Sequence, residues 1–125
     1  MFSEPVLDHF QRPRNAGDLP GADASVEVSN PVCGDVLQLA AKVHDGRIGE
    51  IRFLCRGCTA AIACGSVLTE KMHGAEVNSL RAITAEALTA ELGGLPSASY
   101  HAAQLAEDAL KALLAALPKT NTASP

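Results

Sequence analysis

The chain is 125 residues long, carries a formal net charge of −4 at neutral pH, and is 47% hydrophobic and 19% charged. That is one domain's length, with enough apolar side chain for one core without a disulfide framework. The acidic balance excludes a general nucleic-acid binder, which needs a basic surface to neutralise phosphates. No apolar run approaches the roughly 18 residues of a membrane-spanning helix, so no membrane partner is expected. The N-terminal stretch carries Glu4 and Asp8 and lacks the basic and apolar regions of a secretory signal, which makes the cytoplasm the expected location. Four cysteines stand out in a chain with no tryptophan, one tyrosine and three phenylalanines. In a reducing compartment, thiols serve metal binding, catalysis or packing.

Residues 5–10 (PVLDHF) read as a short helix with Pro5 in its first turn. The next stretch, rich in Pro, Gly, Asn and Asp, reads as an extended loop. ASVEVS is a short strand with Val26 and Val28 on one face, and NPVCGD is a turn. From Val36 the pattern alternates, with Leu37, Leu39, Ala41 and Val43 on one face, which marks a half-buried strand. Asp45-Gly46 signals a hairpin, and the return strand puts Ile51, Phe53 and Cys55 on one face. A helix opens at Gly57-Cys58-Thr59 and runs to about His73, closed by Gly74. Residues 75–92 read as one or two short helices with Thr84 as an N-cap. A last helix runs from about Ser99 to Leu117 behind a leucine stripe. The expected class is α+β: a three-stranded antiparallel sheet followed by helices packed on one face, as a single domain over residues 1–118 with a disordered tail at 119–125.

Cys33-Gly34-Asp35 lies in the turn between two strands, where a thiol and a carboxylate two residues apart can reach one metal ion. Cys55-Arg56-Gly57-Cys58 has the C-x2-C spacing of a metal knuckle, but its cysteines look unequal. Cys55 continues the inward face of its strand and reads as a core thiol. Cys58 sits at a helix N-terminus, where free amides are expected to stabilise a thiolate and lower its pKa. Cys64 falls about 120° around the helix from Cys58, among small apolar residues, and reads as core. His101, at the start of the last helix, suits a metal ligand or a proton shuttle. His9, His44 and His73 are expected in solvent. There is no phosphate-binding glycine motif and no nucleophile elbow.

The order of the blocks PVLDHFQRPRNAG, NPVCGDVLQL, FLCRGCTAAIACGSVLTEKMHG and LPSASYHAAQLAEDALKA resembles one family closely. It is the iron–sulfur cluster assembly scaffold family, comprising the IscU type and the N-terminal domain of NifU. The resemblance covers almost the whole chain. It implies an α+β fold of the IscU/NifU-N type, no enzymatic activity, and a metal- or cluster-binding site at Cys33, Asp35, Cys58 and His101. The family's third cysteine is expected directly after the histidine, where this chain has Ala102. In relatives that thiol is both a cluster ligand and an acceptor of sulfur from a cysteine desulfurase, and alanine can do neither. Cys55 and Cys64 are possible substitute ligands.

The resemblance implies a scaffold that holds iron or a 2Fe–2S cluster transiently and passes it to apoprotein acceptors, with a cysteine desulfurase as its sulfur partner. A set of two thiolates, one carboxylate and one imidazole also suits tetrahedral zinc, so zinc is expected in the isolated protein. Relatives served by a dedicated Hsp70-type chaperone carry Leu-Pro-Pro-Val-Lys. This chain has Leu95-Pro96-Ser97-Ala98-Ser99, which keeps only the Leu-Pro start of the segment that such a chaperone recognises. The alternative is a metal-binding, non-assembling paralogue that docks on a desulfurase and modulates it.

Overall fold

A computed structural model describes residues 2–117. The expected tail at 119–125 lies outside the described residues. Helix α1 spans Glu4–Gln11, with Ser3 as N-cap accepting from the Val6 amide. Strands β1 (Ala24–Ser29), β2 (Val36–His44) and β3 (Arg47–Arg56) form one antiparallel sheet in the order β1-β2-β3. Helix α2 (Thr59–Met72), a 3-10 turn at Val77–Ala82, helix α3 (Ala85–Glu91), a 3-10 turn at Ser97–Ser99 and helix α4 (Tyr100–Ala116) follow. The layer order is that of the sequence reading: strands first, then helices on one face. No helix is long and apolar enough to cross a membrane among the described residues.

The sheet follows from strand alternation. Leu37, Leu39 and Ala41 of β2 and Ile51 and Phe53 of β3 are buried on one face, under α2 and α4. Ser25, Glu27, Gln38 and Leu54 lie on the opposite, open face. His44 pairs with Arg47 across Asp45-Gly46, both with positive φ (53° and 77°), so Asp-Gly makes the tight turn that the strand twist favours. A register shift after Lys42 leaves Gly49 as the extra residue of a bulge. The outer edge of β3 is covered at both ends. Residues 15–17 run beside Phe53, and residues 74–77 bond to the strand's start. Covering an edge in this way removes free backbone groups that would template another strand.

Helix α1 and the loop after it are tied to α2 by a polar seam. Ser66 and Thr69 are buried on α2. The Arg14 amide donates to Ser66 Oγ (2.8 Å), and Thr69 Oγ1 donates to the Arg14 carbonyl (3.1 Å). With its oxygen accepting from Arg14, the Ser66 hydroxyl has its own proton free for His9 Nδ1, 2.7 Å away. His9 Nε2 faces Glu70 at 3.6 Å. The expectation of a solvated His9 is therefore corrected: only 7% of it is exposed, because α1 turns that face onto α2. His44 and His73 are exposed, as expected.

Burial holds His9 below its ordinary pKa of 6.5, with the Arg14 guanidinium acting the same way and Glu70, Asp8 and Glu91 opposing. The unfolded chain therefore binds the proton first. Stability from this seam is complete above pH 6.5 and declines as pH falls below it towards the depressed folded value. The expected result is a urea midpoint that drops as pH falls below about 6.5, with the drop flattened in His9→Gln. An unchanged slope in that variant would assign the pH dependence to other groups.

Candidate metal site

Four chain segments meet at one end of the sheet. Asn30 organises the turn after β1: its amide donates to the Asp35 carbonyl (2.9 Å), its carbonyl accepts from the Gly34 amide (2.7 Å), and its side-chain oxygen accepts from the Val32 amide (2.9 Å). Gly34, at φ 79°, lets the turn close with Cys33 exposed at its tip. Asp35, immediately before β2, is buried, at 6% exposure. Across the ladder β3 ends, Gly57 bends the chain, and Cys58 becomes the N-cap of α2. His101 occupies the first turn of α4, placed there by the 3-10 turn that follows Pro96.

Asp35 is the hub. Its Oδ2 lies 3.5 Å from Cys58 Sγ, positioned to accept from the thiol, and 3.7 Å from His101 Nε2. Cys33, Asp35 and His101 each offer a ligand atom within 4.8 Å of the other two. Cys58 joins this triad through Asp35. The close fit depends on Gly57, because a Cβ there would lie 2.8 Å from both Cγ and Oδ1 of Asp35. The structure thus brings Cys33, Asp35 and His101 within ligand reach of one another, while Cys58 meets the group through Asp35.

The remaining thiols differ. Cys64 is fully buried, and burial pushes its thiol up to about 12. Cys55 is half-buried at the end of the inner face of β3, and its thiol is pushed up to about 11 by burial first, then by Asp35 and Cys58. Ala102 turns its methyl into the core, at 1% exposure.

The lowered Cys58 pKa expected from the helix N-terminus is corrected. Its thiol is raised, chiefly by burial, with Asp35 adding to it. The amides of Ala61 and Ala60 pull the other way but are outweighed, and Cys58 makes no side-chain capping hydrogen bond. A cation at the hub would reverse this balance, since it favours thiolate and carboxylate together. Soft sulfur, borderline imidazole and a hard oxygen in one place suit zinc or iron better than calcium or magnesium.

Sequence reasoning missed a supporting residue, Glu107. Its carboxylate accepts from the Ala85 amide (2.7 Å) at the start of α3 and pairs with Lys111 (2.9 Å). It ties α3 to the helix that carries His101. The (i, i+4) spacing to Lys111 was visible in the sequence, but the amide 22 residues away was not.

Residues 1–124 match the family profile described as the NifU-like N terminal domain. The chain is 46% identical over 111 residues to the iron–sulfur cluster assembly scaffold protein IscU 1 of Archaeoglobus fulgidus, covering 89% of this chain and 72% of that one. It is 42% identical over 118 residues to the corresponding IscU protein of Escherichia coli K12, covering 91% of each. It is 43% identical over 111 residues to the nitrogen fixation protein NifU of Cereibacter sphaeroides, of which it covers 45%. Among solved structures, the N-terminal part of a NifU-like protein of Brucella abortus has a TM-score of 0.63 at 21% identity, covering 91% of this chain and 81% of that one. A chain from Fervidobacterium islandicum AW-1, described as a candidate iron–sulfur cluster assembly scaffold of the SUF system, reaches 0.71 at 20% identity, covering 90% and 96%. At these identities the two structures speak for the fold alone.

Proposed function

Because the chain belongs to the NifU N-terminal domain family of iron–sulfur cluster assembly scaffolds, we propose that Cys33, Asp35, Cys58 and His101 hold the cargo, a 2Fe–2S cluster in transit. The chain is a scaffold and not an enzyme: the cluster is what it handles, and no resident cofactor does chemistry for it. The observation that carries the site assignment is the Cys33–Asp35–His101 triad within 4.8 Å, with Cys58 3.5 Å from Asp35.

Each ligand does a different job. Cys33, exposed on its turn, meets incoming iron and outgoing acceptors. Cys58 supplies the second soft ligand at a helix start. His101 offers Nε2, and histidine ligation of such clusters has precedent. Asp35 is the hard, weak ligand for iron–sulfide, and a ligand that lets go readily favours handing the cluster on. In the isolated protein the same four atoms accept zinc. The sulfur source is a cysteine desulfurase, the recipients are apoproteins, and the setting is the cytoplasm.

Anaerobic reconstitution with ferrous iron and inorganic sulfide tests this reading. The expected product is a coloured chain with iron and acid-labile sulfide in equal amounts. Cys33→Ala or Cys58→Ala is expected to lower both by about tenfold or more. A chain that takes up zinc tightly but never acquires labile sulfide would overturn the scaffold assignment of these residues and favour a non-assembling metal binder.

A further inference from the structure

The face of the sheet turned away from the helices is crossed by a strap of chain. With the strand order β1-β2-β3, the segment that runs beside β3 must cross to the far edge to enter β1. It is pinned at both ends. The Gly17 amide donates to the Phe53 carbonyl (2.9 Å) on β3. At the start of β1 the Asp23 amide donates to the Ala41 carbonyl (2.8 Å), and Asp23 Oδ2 accepts from the Val43 amide (2.7 Å). Between these pins the strap leaves a cleft of about 290 Å³ against the open face.

Strand register makes the floor of that cleft. Ser25 pairs with Ala40, and Ala40 with Arg52, so the three form one row across the sheet. Alternation sets this row on the open face, with Gln38 and Leu54 in the next one. The small side chain of Ala40 leaves a hollow between a hydroxyl and a guanidinium, and Asp18, Leu19 and Pro20 of the strap wall it. Neighbouring charges are satisfied: Lys42 faces Glu50 (3.5 Å), and Glu27 accepts from Gln38 Nε2 (2.8 Å). Arg52 and Asp18 line the cleft, yet neither takes part in an ion pair among the described residues. Arg52 is half-buried, and its Nη1 donates to the Ile51 carbonyl (2.7 Å). That bond anchors the guanidinium and leaves its other donors free.

Beyond the scaffold reading, and at a place that shares no residue with the metal site, we infer that this cleft binds a small zwitterion, an α-amino acid with a short aliphatic side chain. Opposite charges that line one hollow without meeting each other match a ligand that carries both. Arg52 takes the carboxylate through the paired N–H bonds that a planar guanidinium offers. Asp18, exposed on the strap, takes the ammonium and contributes the smaller share. The Ser25 hydroxyl and the Gln38 side-chain oxygen are further polar partners, while Leu19, Pro20 and Leu54 give the aliphatic group an apolar wall. A volume near 290 Å³ lies at the small end of ligand pockets, roughly 300–1,000 Å³, and suits a molecule of this size. A plain anion would leave Asp18 facing its charge, and a plain amine would leave Arg52 doing so.

Titration of the full chain with L-leucine, followed by two-dimensional amide NMR, tests the inference. The expected result is saturable shifts confined to residues 17–20 and to positions 25, 38, 40, 52 and 54. Arg52→Gln is expected to weaken binding by about tenfold or more, and Asp18→Asn by about twofold to fivefold. Ala40→Leu fills the hollow without altering a charge and is expected to abolish binding. On the wild-type chain, 4-methylpentanoate lacks the ammonium and 3-methylbutylamine lacks the carboxylate, so both are expected to bind more weakly than L-leucine, the amine most weakly. Absence of saturable shifts, or shifts centred elsewhere, overturns the inference. So does unchanged affinity in Arg52→Gln or Ala40→Leu. Equal affinity for 4-methylpentanoate and L-leucine would make this a plain anion site and overturn it as well. The two analogues need no variant, so they decide the matter even where a substitution disturbs the fold.

Discussion

Replacing Gly57 by alanine is expected to lower affinity for zinc or ferrous iron by about tenfold to a hundredfold, with the melting temperature within about 2 °C of wild type. Gly57 touches no metal and is exposed, and its φ is not positive, so alanine meets no backbone strain. The difficulty lies with its neighbour. The new methyl would lie 2.8 Å from Asp35 Cγ and Oδ1 and 3.1 Å from its Cβ. Asp35 has little room to yield, because its Cβ is fixed by the strand and it is buried. The carboxylate must swing, and any swing takes Oδ2 away from Cys58 and His101 together. Competition against a chelator of known affinity measures the loss, and a thermal melt shows that the fold survives. Affinity equal to wild type would mean that Asp35 is not held by this contact.

Gly65→Val is expected to act on the fold, destabilising it by about 3 kcal/mol or more. Gly65 lies where α2 crosses β3. A Cβ there would come within 2.7 and 2.8 Å of the Phe53 ring and 3.3 Å of Leu37 Cδ1. Phe53 and Leu37 are 2% and 1% exposed, so neither can rotate into solvent. Glycine inside a helix costs about 1 kcal/mol relative to alanine, and a substitution recovers part of that. The recovered propensity is smaller than the cost of forcing three carbons into a filled interface. Displacing Phe53 also disturbs its backbone bonds to Asn15 and Gly17 (both 2.9 Å), so the clash spreads to the loop that covers the edge of β3. A urea titration followed by far-UV circular dichroism should show a lower midpoint with an unchanged slope. A midpoint equal to wild type would mean that the helix–sheet contact has slack.

The strands, the hairpin and the long helices were legible because each rests on a local period or a local turn rule. Leu37, Leu39 and Ala41 alternate, Asp45-Gly46 has the chemistry of its turn, and Thr84 caps α3 by accepting from the Ala87 amide (3.1 Å). Cys33-Gly34-Asp35 was legible as a pair of ligands for the same reason. The convergence of Cys58 and His101 on Asp35 was not, because nothing local links positions 35, 58 and 101. Resemblance to a family supplied that grouping. Gly57 was visible as the residue before the helix, but its part in seating Asp35 was not, because that depends on the register that sets the two against each other. The burial of His9 escaped because its hydrogen-bond partner, Ser66, lies in a run of small residues that announces close packing without saying which side chain will arrive. The direction of the Cys58 shift escaped because it sums burial, two amides and a carboxylate from another strand, and a helix terminus read alone supplies only one of these.

Asp35 and Cys58 are separated by 23 residues, and His101 lies beyond four more elements of structure. Whatever bridges them is a reversible cross-link. It closes long loops that an unfolded chain would leave open, and the entropy of that closure grows only slowly with loop length. On the proposed site assignment, loading would fasten the turn after β1, the start of α2 and the start of α4 to one another, and delivery would unfasten them. The grip on the cargo and the rigidity of this end of the protein are one thermodynamic quantity, so a recipient that pries these three segments apart by a small amount weakens every bond to the cluster at once.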